Sequence, residues 1–230
     1  MTLRRSTWWF GLVVVVSALL TLLYLSSNVS TSLTQEDVAA FRSMGLKPLA
    51  QSLTHEEQVK LVRRVQRMVF ERSPLDKGIA EGQAREPADL LRLGHGLCFD
   101  RSRALDKALS YLGFQTRHVF LLYRQGKSFS RALFSRRQWS HAVTEVRLGS
   151  GWVLVDSLTP WVAVTKEGLL VDADHVWSRS SEFESIPEYL VRPWWAIRGL
   201  YSRGGGFYHA FLELPEVNYA DFFSWVLDLP

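Results

Sequence analysis

Residues 8–25, WWFGLVVVVSALLTLLYL, carry no charge. A helix of that length just crosses the hydrocarbon core of a bilayer. Backbone in hydrocarbon must satisfy its own hydrogen bonds, so a helix is the one form open to such a segment. The run therefore sets the start of the chain apart from whatever domain follows. Arg4 and Arg5 precede it, which keeps residues 1–7 cytoplasmic and sends everything after Leu25 outward. Trp8, Trp9 and Tyr24 stand near its two ends, where amphipathic aromatics favour the membrane interface. A cleaved signal peptide normally has a shorter apolar region and a small-x-small site, and Ser26-Ser27-Asn28 is a weak match. The expectation is an uncleaved, single-pass anchor carrying a periplasmic or extracellular domain.

The 230 residues are 47% hydrophobic, 22% charged and 13% aromatic, which suits one medium-sized folded domain plus this appendage and argues against disorder. The net charge of +4 is mild. Lys127, Arg131, Arg136 and Arg137 form a basic cluster, but no binding motif accompanies it, so a solvated loop is expected and nucleic acid is not a partner. A glycine loop at residues 202–206 lacks the flanking strand, helix and lysine of a phosphate cradle. With one cysteine and scattered histidines there is no metal-ligand spacing, and neither a metal nor a cofactor is expected.

Residues 26–34 are polar and Ser/Thr-rich, a short tether, and residues 26–50 are assigned to tether plus a short helix capped at Thr34-Gln35-Glu36-Asp37. Thr54 caps the strongest helix, which runs to about Arg72 with Val59, Leu61, Val62, Val65, Met68 and Val69 on one face. Pro87 opens a short helix that Gly94 and Gly96 stop. From Cys98 to Leu112 another helix places Cys98, Leu105, Leu109 and Leu112 on one stripe, and Gly113 ends it. The period then changes. Residues 115–123, 141–148 and 151–157 are rich in β-branched and aromatic residues, and Leu148-Gly149-Ser150-Gly151 is a hairpin turn. The fold class is α+β, with N-terminal helices and the cysteine-bearing helix packed on an antiparallel sheet. Residues 51–160 are read as the core and residues 161–230 as an extension packed on it. In that extension, residues 169–176 read as strand or loop, 186–195 as a helical turn, and 219–227 as a closing amphipathic segment.

Cys98 is the single cysteine, so it forms no internal disulfide and is either a packed small residue or a reactive thiol. A thiol attacks a carbonyl as the thiolate and needs a base and a pKa-lowering environment. A helix N-terminus supplies the second through its dipole and unpaired amides, and those amides can also donate to an oxyanion. Gly94 and Gly96 let the backbone turn beside the sulfur and leave space for substrate. If Gly149-Ser150 is a two-residue turn, Leu148 faces Gly151 and Val143 faces Asp156. His141 and Asp156 then share a sheet face one diagonal step apart, and the carboxylate can hold the imidazole while it takes the thiol proton. A turn shifted to Leu148-Gly149 sets them directly opposite; a three-residue turn puts them on opposite faces. His95 is expected to line the site, while His118, His175 and His209 lack a carboxylate partner in a matching pattern. Trp139 and Trp152 are placed around the cleft, with Trp161, Trp194 and Trp195 as weaker candidates.

Three blocks resemble the transglutaminase-like superfamily, the papain-related group with a Cys-His-Asp triad. They are Gly96-Leu97-Cys98 followed by the helix to Leu112-Gly113-Phe114 and Thr116-Arg117-His118-Val119; His141-Ala142-Val143-Thr144-Glu145-Val146; and Gly151-Trp152-Val153-Leu154-Val155-Asp156. Val143 departs from an aromatic frequent there, and Ser157-Leu158-Thr159-Pro160 loosens the usual Asp-Pro-Thr ending. The resemblance implies Cys98 as nucleophile, His141 as general base and acid, and Asp156 as orienting group; Gly96, Trp139 and Trp152 are read as lining the cleft for a peptide or amide substrate. It implies a thioester resolved by water or by an amine, with hydrolysis favoured. Two other readings stand beside it: an acyltransferase like the arylamine N-acetyltransferases, and a catalytically silent scaffold that binds a partner in an envelope or polysaccharide-assembly complex.

Overall fold

The computed structural model describes residues 3–80, 85–133, 135, 138–149, 151–201 and 216–228. Helix α1 (Leu3–Ser27) contains the apolar run. Its stretch Trp9–Ser27 is 6% buried within the protein, so it is not a core helix borrowed from a soluble fold.

Two capped helices follow. Thr34 accepts from the Asp37 N–H, and Asp37 reaches back to the Thr34 N–H, at the start of α2 (Gln35–Ser43). Thr54 and Glu57 make the same reciprocal cap for α3 (His55–Arg72), each satisfying donors that a helix start otherwise leaves open. Val59, Val62, Val65 and Val69 are buried along one face of α3, while Leu61 and Met68 are partly so. Helix α4 (Pro87–Leu93) stops at Gly94, whose φ of 72° is the left-handed conformation that glycine adopts without cost. Helix α5 (Cys98–Leu112) stops the same way at Gly113. Ala104, Leu105, Ala108 and Leu109 of α5 are fully buried, and each leucine so covered stabilises the packing by about 1.5–3 kcal/mol.

Helix α5 lies mainly against the central strands β1 (Thr116–Tyr123) and β2 (Ser140–Leu148). Between them is a short helix α6 (Phe129–Leu133). Strand β3 (Gly151–Val155) pairs with β2 in the register Leu148 to Gly151 and Thr144 to Val155, the one expected for a two-residue turn. Gly149 has a φ of 58° there.

The region after residue 160 departs from the expectation. Two 3₁₀ turns, Ser180–Glu182 and Glu188–Val191, lead into strand β4 (Trp194–Arg198). It pairs antiparallel with the free edge of β1, and the sheet order is β3-β2-β1-β4. The extension thus supplies an edge strand of the central sheet rather than only covering it. Short strands β5 (Leu200–Tyr201) and β6 (Glu216–Val217) pair, and helix α7 (Tyr219–Leu227) follows. Residues 26–34 are not a free tether throughout. Asn28 bridges Val217, Val29 donates its N–H to the Val217 carbonyl at 2.9 Å, and both Ser27 and Val29 are buried. The physical reason is pairing with a segment far away in sequence. The glycine loop 202–206, His209, Arg136 and Arg137 lie outside the described residues.

Candidate active site

Cys98 is the first residue of α5. The first amide of that helix to bond within it is Arg101 N–H, which donates to the Leu97 carbonyl at 3.0 Å, leaving those of residues 98–100 facing outward from the helix end. The Asp100 carboxylate turns back to accept the Leu97 N–H at 3.0 Å and the Ile79 N–H at 3.3 Å, which fixes the angle at which the chain enters α5. Gly96 belongs to this entry. A Cβ built on it lies 2.5 Å from Leu90 Cδ1 and 3.1 Å from Asp100 Cβ. Its missing side chain therefore makes room for α4 and the cap, and not for substrate as the sequence reading held.

His141 is the second residue of β2, opposite Leu121 of β1. Asp156 is the first residue past β3. His141 Nε2 and Asp156 Oδ1 lie 2.6 Å apart. The remaining ring nitrogen, Nδ1, is not used by Asp156, and Cys98 and His141 lie close enough that each shifts the protonation of the other. The structure thus brings Cys98, His141 and Asp156 into one contact chain.

Asp156 is fully buried and held on every side. Oδ1 accepts the Ser157 N–H at 2.9 Å, and Oδ2 accepts the Thr159 N–H at 2.8 Å and its hydroxyl at 2.7 Å. Tyr189 donates its hydroxyl to Oδ2, and its ring meets His141 edge-on with centroids 5.3 Å apart. Ser157-Leu158-Thr159-Pro160, the segment that departs from the family ending, is thus a tight turn wrapped around the carboxylate. Gln66 of α3 donates to the carbonyls of Asp156, Thr159 and Trp161 at 2.6, 3.2 and 2.9 Å. Arg101 is buried with its guanidinium 4.5 Å from the Phe70 ring centroid, and its Nε donates to the Ser73 carbonyl at 2.7 Å.

These contacts set the protonation states. Burial pushes the Cys98 thiol up, but its hydrogen bond and charge interaction with His141, with the Ala142 and Phe99 amides, bring it below the ordinary thiol value. Burial pushes His141 down, but the charge and hydrogen bond of Asp156, and then Cys98, raise it to about 10. Burial also works against Asp156, yet His141, Tyr189 and Thr159 keep it below the ordinary carboxylate range. These shifts act in the direction of a thiolate–imidazolium pair beside a carboxylate.

Among the described residues, His118, His95 and His175 have other partners. His118 is fully buried, bonded to Ser102 Oγ at 3.0 Å and stacked on Tyr201 at 4.0 Å, and burial with Arg103 lowers it to about 3. His95 bonds the Lys77 carbonyl at 2.9 Å. His175 does have a carboxylate partner, Asp172 at 2.6 Å, a correction to the sequence reading, but this pair is on the surface.

The tryptophans divide. Trp139, two residues before His141, is 59% exposed and stands between Tyr123 and Arg192, whose guanidinium is 4.9 Å from its ring centroid. Trp152 is near the hairpin end of β3, paired with Arg147 and covered by the Arg117 guanidinium at 4.1 Å. It lines a cavity of about 600 Å³ with Arg198, His175 and Trp225, and the structure does not bring it to Cys98. Trp161 and Trp194 are anchored through their indoles to the carbonyls of Ser185 and Tyr189, and Trp195 packs edge-on against Phe129.

Sequence reasoning missed Tyr189 and Gln66. Gln66 had a signal, a polar residue four after Val62 and three before Val69 on an otherwise apolar stripe. Tyr189 had none, because its segment shows no periodicity.

This helix-on-sheet arrangement, with a cysteine opening the helix and a histidine and an aspartate on the next hairpin, is that of a cysteine-dependent protease or acyltransferase fold. A family model of the transglutaminase-like superfamily matches residues 47–157, a stretch holding Cys98, His141 and Asp156. That part of the chain belongs to the transglutaminase-like superfamily. No curated protein matches the chain.

Proposed function

We propose that the protein is a membrane-anchored, extracytoplasmic, cysteine-dependent amidase or protease acting on a peptide or amide substrate. Arg4 and Arg5, ahead of the apolar run in α1, support the outward orientation of the domain. The observation that carries the chemistry is the contact chain from half-buried Cys98 through His141 to the buried Asp156.

The Cys98 thiolate adds to the carbonyl carbon, and the oxyanion receives the Cys98 N–H at the start of α5. Imidazolium Nδ1 gives its proton to the amide nitrogen, the C–N bond breaks, and the amine leaves a thioester on Cys98. Neutral His141 then takes a proton from water as the hydroxyl adds to the thioester carbon. The C–S bond breaks, a carboxylic acid departs, and the thiolate and imidazolium are restored. An amine in place of water gives acyl transfer by the same steps. Asp156 stays ionised throughout and holds the ring through Nε2. The exposed Trp139 is a wall for the substrate beside His141.

The test is the alkylation rate of Cys98 against pH in the full-length protein, followed by incubation of a protein substrate with and without a labelled primary amine. Wild type alkylates rapidly at pH 6.5, and His141→Ala does so only at alkaline pH. Equal profiles in the two proteins remove the assignment. Incorporation of the amine without cleavage replaces hydrolysis by transfer.

A further inference from the structure

Helix α1 ends against the start of α7. Ser27 Oγ and the Tyr219 hydroxyl share a hydrogen bond of 2.7 Å, and the Tyr24 and Tyr219 rings lie 5.4 Å apart. Asn218 Nδ2 donates to the Val29 carbonyl at 2.8 Å, and the Tyr219 N–H donates to Asn28 Oδ1 at 3.3 Å. The point where α1 leaves its apolar run is therefore the point where α7 begins.

Helix α7 has two apolar arcs. Phe222 and Trp225 pack on a cluster that includes Ile197, Leu200 and Val217. The approach is close: a Cβ on Gly199 lies 2.5 Å from the Phe222 nitrogen. Phe223, Val226 and Leu227, at positions i, i+3 and i+4, are 57%, 40% and 83% exposed. A single exposed leucine is ordinary, but three apolar residues in one stripe mark an interaction surface. Asp221, Ser224 and Asp228 lie on the remaining arc, and α7 contains no lysine or arginine.

We propose that α7 is an interfacial helix that lays Phe223, Val226 and Leu227 into the leaflet from which α1 emerges. The proposal rests on the reading of α1 as a membrane span. Continuity with α1 names the occupant, because a stripe tethered within one helical turn of a membrane exit meets lipid headgroups before any other apolar surface. The acidic polar arc gives no attraction to anionic lipid, so apolar burial drives the contact. The domain is then held at two adjoining points and does not swivel on α1.

The experiment uses full-length protein with Cys98→Ala, carrying one environment-sensitive fluorophore at Leu227→Cys, Leu12→Cys or Lys60→Cys, in phosphatidylcholine vesicles with shallow or deep nitroxide lipids. The Leu227 label is expected to be blue-shifted and quenched about threefold more by the shallow nitroxide than by the deep one. It should be unchanged between about 0.05 and 0.5 M salt, a range over which screening lengths fall severalfold. The Leu12 label should favour the deep quencher, and the Lys60 label, on the solvated face of α3, neither. A Leu227 label that behaves like Lys60 while Leu12 is quenched overturns the proposal and leaves the span intact. A blue-shifted but unquenched Leu227 label also overturns it, because a protein surface then covers the stripe. An unquenched Leu12 label removes the span, and the proposal with it.

Discussion

Tyr189 donates its hydroxyl to Asp156, the carboxylate that holds His141 at 2.6 Å. The two residues are 33 positions apart, and the tyrosine ring also closes one side of the imidazole. In the proposed mechanism Tyr189 is a positioning residue that acts through Asp156. In Tyr189→Phe the carboxylate keeps its bonds from Ser157 and Thr159 and loses one donor. A charge-assisted hydrogen bond is worth about 1.5–3 kcal/mol, part of which water recovers, so kcat is expected to fall by about 3- to 30-fold. Removing the donor lets Asp156 rise, so loss of its charge on acidification, and with it the acid limb of the pH profile, should move to higher pH. An unchanged profile would show that Tyr189 only packs.

Activity should follow a bell-shaped dependence on pH. The ion pair exists above the lowered pKa of Cys98 and below that of His141, about 10. The acid limb therefore lies below the ordinary thiol range and the alkaline limb well above the ordinary histidine range. In His141→Ala burial acts on the thiol without its main compensating partner, and alkylation at pH 6.5 should slow by about 10- to 100-fold. Rate measurements between about pH 5 and 10 decide it.

Gly96→Ala should destabilise the protein although it adds one methyl group. The new Cβ meets the Cδ1 of fully buried Leu90 at 2.5 Å and the Asp100 stem at 3.1 Å, so the Leu90 side chain must move within a filled core or α4 and the entry to α5 must give. Overpacking of this kind costs about 1–3 kcal/mol, seen as a lower Tm with a displaced Cys98. A wild-type Tm would contradict the packing role assigned to Gly96.

Asp106 gives a stability prediction away from Cys98, His141 and Asp156. It is buried with Oδ1 unpartnered among the described residues. Burial first, and Asp221 as well, raise it to about 6 against its Thr116 hydrogen bond and the charges of Arg103 and Lys107. A raised carboxyl contributes stability that is fully present below its unfolded pKa, near 3.8, and is lost as pH rises through about 6. Asp106→Asn is therefore expected to stabilise at pH 7.5 by about 1–3 kcal/mol and to change little near pH 4. Thermal melts at the two pH values test this, and a destabilised variant at pH 7.5 would overturn it.

Much of the site was legible because its signals are local or one hairpin long. The caps at Thr34 and Thr54, the stops at Gly94 and Gly113, and the turn at Gly149 are decided by neighbours in sequence. The turn length sets the β2–β3 register, and register alone puts His141 and Asp156 within one diagonal step. The same reasoning misplaced Trp152, because belonging to a family block says nothing about distance along a strand. Trp152 is four residues from Asp156, toward the opposite end of β3.

By itself the sequence determined the apolar N-terminal helix, the capped helices, the hairpin, and the grouping of a cysteine, a histidine and an aspartate by type and order, while leaving the hairpin register open among its possible turns. These follow from periodicity, capping and turn chemistry, which act over a few residues. Only the tertiary structure decided that β4 completes the sheet from a segment without periodicity, that Tyr189 and Gln66 hold Asp156 and its turn, and that α7 starts where α1 ends. Each of those contacts joins residues tens to nearly two hundred positions apart. Their partners are selected by burial and the need to satisfy buried polar groups, and no local pattern records that selection.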